Sequence, residues 1–396
     1  MKEVTKKIFE YNSARKKAVV HLKYKAMCEN AYRFFRGSCH LFYQQVSAKS
    51  NIFSSPVGWI CGDLHLENFG SFRGNNQMTY FDLNDFDEAV KAPILWEVAR
   101  LVTSILIAFQ VMEIDADQGM NLAILFIRQY RSTLRSGKPQ AIDPRTSKGI
   151  VKDFLKKASR SSAKSLLKKR TILHKKQLYL DLRDERHFKI GPKLYADLQQ
   201  HIRAFLKHSD HTPYNYQVRD VVYRLAGTGS LGQRRYLFLL AHKHRKDDHL
   251  LLDMKEALPS SLVPFLTHKQ WEWGNEAMRI TSIQNRMQQV PSAMLDVTWF
   301  RARAYVIQEL QPVKDTIKFK LIKDNYRDLI QVINDMAVLT ASAHLRSGGT
   351  YGSATIDELM HFAKKCDWEP GLLDFAQQAC LANFKDYYDF KSDIIG

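Results

Sequence analysis

Asp63 and Asn68 stand five positions apart (68 − 63) in the turn Cys-Gly-Asp-Leu-His-Leu-Glu-Asn-Phe-Gly, residues 61–70. A second acidic cluster, Asp82, Asp85, Asp87 and Glu88, follows a short β-rich run. Phosphoryl transfer uses such a set. One carboxylate accepts the proton of the attacking hydroxyl, while an amide oxygen and a further carboxylate hold Mg²⁺ against the phosphates. Asp63 is then the candidate base, and Asn68 and Asp85 are the candidate metal ligands. Asp82 orients the loop or serves as an alternative ligand, and Asp87 assists a second ion. Mg²⁺ takes only one or two carboxylates beside the phosphates, so not all four acids can touch it. The plainer alternative is a polar loop followed by an acidic turn.

A phosphate-binding half lies far downstream. Gly227-Thr228-Gly229-Ser230-Leu231-Gly232 separates two β-rich runs, 214–225 and 235–241, and a third run, 250–255, ends in Lys255. A lone GxGxxG is weak evidence. Here a strand follows it rather than a helix, which suits a glycine hairpin over ATP phosphates better than a dinucleotide-binding turn. Gly227, Gly229, Ser230, Gly232 and Lys255 are the candidate ATP-binding residues. Glu276, 21 positions beyond Lys255 (276 − 255) in a helical stretch 271–287, is the candidate partner of that lysine. The alternative is an exposed helical glutamate.

Positioning these groups calls for strands at 57–61 and 77–83 and for a buried helical region from 94 to 130, where Leu95, Val98, Leu101, Val102, Ile105 and Leu106 form a broad apolar stripe. Residues 1–50 read as helical, interrupted at Arg36-Gly37; Arg36 is either a surface cap or a partner for phosphate or carboxylate. Residues 305–310 read as a strand running into Gln311-Pro312, a connection between lobes where an adenine edge would find backbone partners. Residues 325–345 and 356–390 are helical, on either side of a glycine-rich loop at 347–352.

The 396 residues are 45% hydrophobic, enough for one large core or two lobes. A net charge of +18 raises nucleic acid, anionic lipid or a phosphorylated ligand as partners without choosing among them. About a dozen Lys and Arg residues lie between 145 and 176. They form a solvated helical face or a docking surface for an acidic partner. Five scattered cysteines without a CxxC pair argue for reduced thiols, against zinc, and for the cytoplasm. No apolar signal core opens the chain. The apolar run 94–112 is interrupted by Glu97 and Arg100, and so reads as a buried helix rather than a membrane span.

The motifs Arg36-Gly37, CGDLHLENFG (61–70), FDLNDFDEA (81–89), Trp96 with Arg100-Leu101, GTGSLGQRRY (227–236), MKEA (254–257) and AHLRSGG (343–349) together resemble the bacterial domain-of-unknown-function 2252 family over nearly the whole chain. That family in turn looks like the protein-kinase-like superfamily, nearest to its aminoglycoside and choline phosphotransferase branch. Asp63, Asn68 and Asp85 match that branch's catalytic and metal motifs, while Cys61 stands where it usually has His. The glycine hairpin and lysine here follow the catalytic loop instead of preceding it, so the resemblance implies a circular permutation.

The expected fold is α+β and two-lobed. A small antiparallel β lobe at 214–310 is inserted into a large, mostly helical lobe built from 1–213 and 311–396. The expected function is ATP- and Mg-dependent phosphotransfer to a hydroxyl, favouring a small molecule. Nucleotidyl transfer from ATP bound in the reverse sense, and a non-enzymatic kinase-like module that binds a polyanion, are the alternatives.

Overall fold

The computed structural model describes the chain apart from residues 14, 16, 50–53, 162, 209–214, 228, 230 and 312–314. Four helices come first: α1 (Glu3–Tyr11), α2 (Lys17–Met27), α3 (Ala31–Gly37) and α4 (Cys39–Ala48). α3 starts where extended Asn30 accepts the Arg33 N–H. It buries Phe34 and Phe35 and ends at Gly37, as the Arg36-Gly37 break anticipates. Four short strands follow. β1 (Val57–Ile60) pairs with β4 (Val90–Pro93), and β2 (Phe69–Arg73) pairs with β3 (Thr79–Leu83), all antiparallel. β3 is buried along its whole length, which explains the absence of alternation in its sequence.

α5 (Ile94–Val111) is apolar around its circumference because the other helices enclose it. By length and composition it could cross a bilayer, yet 83% of it is buried inside the fold. α6 (Ala116–Ser136) packs on α5. It runs from an Asp115 cap to Gly137, which takes a left-handed φ of 65°. α7 (Gly149–Ser159) leans on β3. α11 (Tyr326–Ser347), α12 (Ile356–Phe362) and α13 (Trp368–Ile395) complete this core from the C-terminal side.

The intervening chain builds a six-stranded antiparallel sheet. Its spatial order is β11 (Asp296–Phe300), β12 (Arg303–Glu309), β10 (His249–Glu256), β9 (Arg235–His242), β8 (Tyr216–Arg224) and β7 (His187–Phe188). α9 (Pro192–His208) covers one face, burying Leu198 and Ile202 against Phe238, Leu240 and Leu252. On the other face α8 (Ala163–Arg170) and the hairpin β5 (Thr171–His174) and β6 (Gln177–Leu180) bring Leu166, Leu167 and Leu180 over Val222, Leu237 and Leu251. α10 (Glu276–Met287) buries Ala277, Ile280 and Met287 in the main core, and β13 (Asp315–Thr316) extends the β2–β3 sheet.

The fold is therefore mixed α+β, with helices dominating one part and an antiparallel sheet the other. The boundary expected at 213/214 needs correction. β7 and α9 belong to the sheet, and the basic segment 145–176 divides between α7, on the main core, and α8, on the sheet. A charge-rich sequence hid the apolar side of α8, whose lysines Lys164, Lys168 and Lys169 point to solvent.

α11 carries one strained charge. Asp335 is 8% exposed; its Oδ1 accepts from Gln331 at 2.9 Å, and its Oδ2 has no partner among the described residues. Burial raises its pKa from 3.8 to about 6, with Gln331, Asn334 and Lys148 opposing. The folded state thus binds the proton more tightly than the unfolded chain. Its cost to stability is absent well below pH 4, grows between pH 4 and 6, and is full above that range. Asp335→Asn should raise stability at pH 7 by roughly 2 kcal/mol and leave it little changed at pH 4, as measured by urea denaturation at both values.

Candidate functional site

The loop carrying Asp63 leaves β1 through Gly62, where φ is +86° and an added Cβ would stand 2.3 Å from the Glu88 carbonyl oxygen. Only glycine fits this approach. Two residues of α5, three positions apart and hence on one face, then fix the loop. Glu97, fully buried, accepts the N–H groups of Cys61 (2.6 Å) and Gly62 (3.1 Å) on one oxygen, and the other oxygen meets His344 Nε2 at 2.9 Å. His344 Nδ1 in turn meets the Tyr130 hydroxyl at 2.8 Å.

Arg100, with no exposed surface, donates to Asp63 Oδ1 through Nε at 2.9 Å and also through Nη2, and reaches the Phe35 carbonyl at 3.2 Å. The rings of Phe35 and Phe42 lie 4.2 and 5.2 Å from its guanidinium carbon. Burial raises the pKa of Asp63; Arg100 offsets part of that rise. Asn68 donates its amide nitrogen to the Asp63 carbonyl, which leaves its side-chain oxygen as the group able to face a cation.

The acidic loop after β3 meets the lysine strand. Lys255 Nζ bonds Asp87 Oδ2 and lies 3.9 Å from Asp85 Oδ1. Burial pulls this ammonium's pKa down, but Asp85 and Asp87 more than reverse the effect and leave it raised. Burial also raises the pKa of Asp87, with Lys255 opposing. The Asp85 side chain is 51% exposed, the most open of the acids that meet Lys255. Glu88 secures the loop to the far strand connection, its Oε2 accepting from the Ser261 N–H (2.6 Å) and hydroxyl (2.9 Å).

Arg235 is paired in register with Lys255 and so shares its face of the sheet. It joins Arg224 on the buried Asp253, whose pKa stays low because these guanidinium groups outweigh its burial. The glycine loop connects β8 to β9 with left-handed φ values at Gly227 (75°) and Gly232 (94°). It folds onto the Asp63 loop: a Cβ added at Gly229 would lie 3.9 Å from Asp63 Oδ2. The cavity between these parts measures about 70 Å³ and is lined by Asp63, Asn68, Asp85, Asp87, Gly227 and Gly229 among others. That is room for a few waters.

Asp63, Asn68, Asp85, Gly227 and Gly229 therefore line one cavity, and Lys255 adjoins it through Asp85 and Asp87. Gly232 lies on the outer side of the glycine loop against Arg15 and Val20, and Ser230 falls outside the described residues. Asp82 is 2% exposed, and its carboxylate accepts the Leu83 and Gln289 N–H groups (2.9 and 3.2 Å) and Arg346 at 3.4 Å; of its two expected roles these contacts match the first, orienting the loop at the end of β3, and they occupy the oxygens that the alternative role as a metal ligand would use.

Glu276 does not stand behind Lys255. It pairs with Arg279 at 2.5 Å and lines a separate hollow of about 540 Å³ with Trp271, Trp273 and Trp299. Arg279 links that region to the acidic loop through the Asp87 and Leu258 carbonyls, both at 2.9 Å. At the connection Gln311-Pro312, the Gln311 side chain bonds the Arg73 backbone, and Pro312 lies outside the described residues. Sequence reasoning missed Arg100, Glu97, Arg235, Arg15 and Lys23. The first two had a visible signal as the only charges in an apolar run.

The family model of DUF2252, described as an uncharacterized protein conserved in bacteria, matches residues 15–393. No curated protein and no solved structure matches the chain.

Removing one partner of a buried ion pair strands the other. Arg100→Met should lower stability by about 3–5 kcal/mol in chemical denaturation, and adding Asp63→Asn should recover part of the loss. Equal stability of Arg100→Met and the unaltered protein would show that the pair contributes nothing.

Proposed function

From the premise that this chain belongs to the bacterial family DUF2252, we propose that it is an ATP- and Mg²⁺-dependent phosphotransferase with a circularly permuted, protein-kinase-like architecture. Its acceptor is a hydroxyl compound, a small molecule by the motif's likeness to the small-molecule branch. One observation carries the reading. Lys255 and Asp85, 170 positions apart (255 − 85), stand 3.9 Å apart, and Asp85 lines a cavity with Asp63, Asn68 and two glycines of the β8–β9 loop. The small lobe of this architecture is the six-stranded sheet with α8 and α9, and the helical core is the large lobe.

The side chains fit the ion. Asn68 offers an amide oxygen and Asp85 an open carboxylate, hard donors of the kind Mg²⁺ takes alongside phosphate oxygens, with Asp87 in reserve. When bound, Mg²⁺ supplies charge neutralisation at the polyphosphate. Lys255 exchanges its carboxylate partners for phosphate oxygens.

Asp63 receives the acceptor hydroxyl on Oδ2, the oxygen directed at the glycine loop, while Arg100 holds Oδ1. The guanidinium weakens Asp63 as a base but fixes its direction. That balance suits a loose transition state, in which the hydroxyl keeps its proton until late and positioning matters most.

A specific feature favours nucleotidyl transfer as the second reading. The sheet face beyond Lys255 carries the Arg224–Asp253–Arg235 cluster and is then covered by Leu166, Leu167 and Leu180. An adenine stacked there would have to displace α8, whereas phosphates could use Arg235. Product mass distinguishes the two by the addition of phosphate or of AMP.

An ATP-consumption screen over hydroxylated metabolites should find an acceptor. With it, Asp63→Asn should lose about 10²–10⁴-fold in kcat while Mg·ATP affinity stays within a few fold. Lys255→Met and Asp85→Ala should each diminish the Mg·ATP-dependent rise in Tm. Unchanged shifts in both variants would reject this nucleotide site.

A further inference from the structure

The N-terminal segment places two further basic side chains on the cavity, Lys23 from α2 and Arg15 from the turn before it, and the mechanism above leaves both unused. Lys23 on α2 is 1% exposed and forms no ion pair among the described residues, and burial pulls its pKa well below the ordinary lysine value. Its Nζ meets only neutral oxygens, Asn12 Oδ1 at 3.1 Å and the Gly229 carbonyl at 3.5 Å. Arg15 Nη1 donates to the same Gly229 carbonyl at 2.7 Å and to that of Leu231 at 2.9 Å. Both cations lie 5.6 Å from the centre of the Tyr11 ring, which His40 holds by stacking at 3.9 Å. A buried ammonium without a counter-charge is costly, and a protein selected for stability alone would replace it by an apolar side chain.

Gly229 occupies the space that these cations share with Asp63. Its carbonyl faces Lys23 and Arg15, and an added Cβ would lie 3.9 Å from Asp63 Oδ2 and 3.7 Å from the Arg36 carbonyl. A triphosphate cannot enter a cavity of about 70 Å³ unless Gly229 gives way, and its displacement removes the Gly229 oxygen from both basic groups. An anionic oxygen in the same place restores their partners and adds charge assistance.

Resting on the phosphotransferase reading, we propose that Lys23 and Arg15 bind the terminal phosphoryl group of ATP at the point of transfer, replacing the Gly229 carbonyl with phosphoryl oxygens. In that step the bond from the acceptor oxygen to the terminal phosphorus forms as the bond from that phosphorus to the bridging oxygen breaks. ADP leaves with the electron pair, and the acceptor's proton passes to Asp63. Lys255 serves the inner phosphates and the metal loop; Lys23 and Arg15 serve the group that moves.

The test compares Mg·ADP with a non-hydrolysable Mg·ATP analogue by titration calorimetry on the full chain and on Lys23→Met, Arg15→Gln and Lys255→Met. The unaltered protein should prefer the triphosphate. Lys23→Met and Arg15→Gln should each lose about tenfold or more in affinity for it, the worth of a charge-assisted hydrogen bond, with ADP affinity unchanged within twofold. Lys255→Met should weaken both nucleotides.

The Tm of Lys23→Met without nucleotide should not fall, since the change removes a buried charge; if that variant fails to fold, Arg15→Gln carries the comparison. Nucleotide binding with an unaltered preference in the two N-terminal variants would overturn the proposal and leave Lys23 and Arg15 as fasteners of the glycine loop, with the phosphotransferase reading intact. Absence of nucleotide binding to the unaltered protein would reject both.

Discussion

One turn of α5 holds the cleft together. Glu97 fixes the backbone of the Asp63 loop and Arg100 fixes its carboxylate, from two positions on the same buried helix face. Neither charge could persist there alone. Glu97 is hydrogen-bonded by two backbone N–H groups and meets His344, and Arg100 is answered by Asp63 and the Phe35 carbonyl within a ring of aromatic faces. Each buried charge therefore requires the loop to be in place, and the loop requires both charges. This mutual dependence gives a short, glycine-containing turn a single conformation. Tyr130 and His344 carry the same constraint to α6 and α11, so the loop is supported from the C-terminal end of the chain as well.

The readable parts of the site were those whose spacing is local. Asp63 and Asn68 share one turn, and Lys255 ends one strand, so residue type and interval were enough to nominate them. Glu276 failed because helix periodicity reports that a face is buried but not against what. α10 turns its apolar side to the main core, and Arg279 takes the glutamate. Asp82 was left between two roles for a related reason. Strand alternation places it opposite its neighbours, and only the arrival of Arg346 and Gln289 from distant segments reveals an anchor rather than a ligand. Arg15 and Lys23 had no readable signal, since a lysine in a basic amphipathic helix looks the same whether it meets solvent or a carbonyl more than 200 positions away.

The fold's two parts were legible as helical and β-rich stretches, but their boundary was not. α9 reads as an ordinary amphipathic helix, and nothing in its own sequence says that Leu198 and Ile202 pack on strands that come later. The basic segment misled in another way. Its lysines do face solvent, yet the leucines between them, Leu166 and Leu167, cover the sheet face that leads to Lys255. Charge density in a sequence describes the exposed side of a helix and is silent about the other.

The cleft also shows how a chain with a net charge of +18 can build an acidic centre. Asp63, Asp85, Asp87 and Glu88 converge within one small cavity, where their mutual repulsion would be severe without compensation. Arg100 and Lys255 answer Asp63 and the Asp85–Asp87 pair directly, and Glu88 is held by serine hydroxyl and backbone donors. Lys23 and Arg15 line the same cavity but bond only to neutral oxygens, and burial, reinforced by Arg15, pulls the Lys23 pKa well below the ordinary lysine value. A site built this way has its acids neutralised before any ligand arrives. The two basic side chains from the N-terminal segment have no carboxylate partner to give up among the described residues: Arg15 bonds the Gly229 and Leu231 carbonyls, and Lys23 bonds Asn12 and the Gly229 carbonyl.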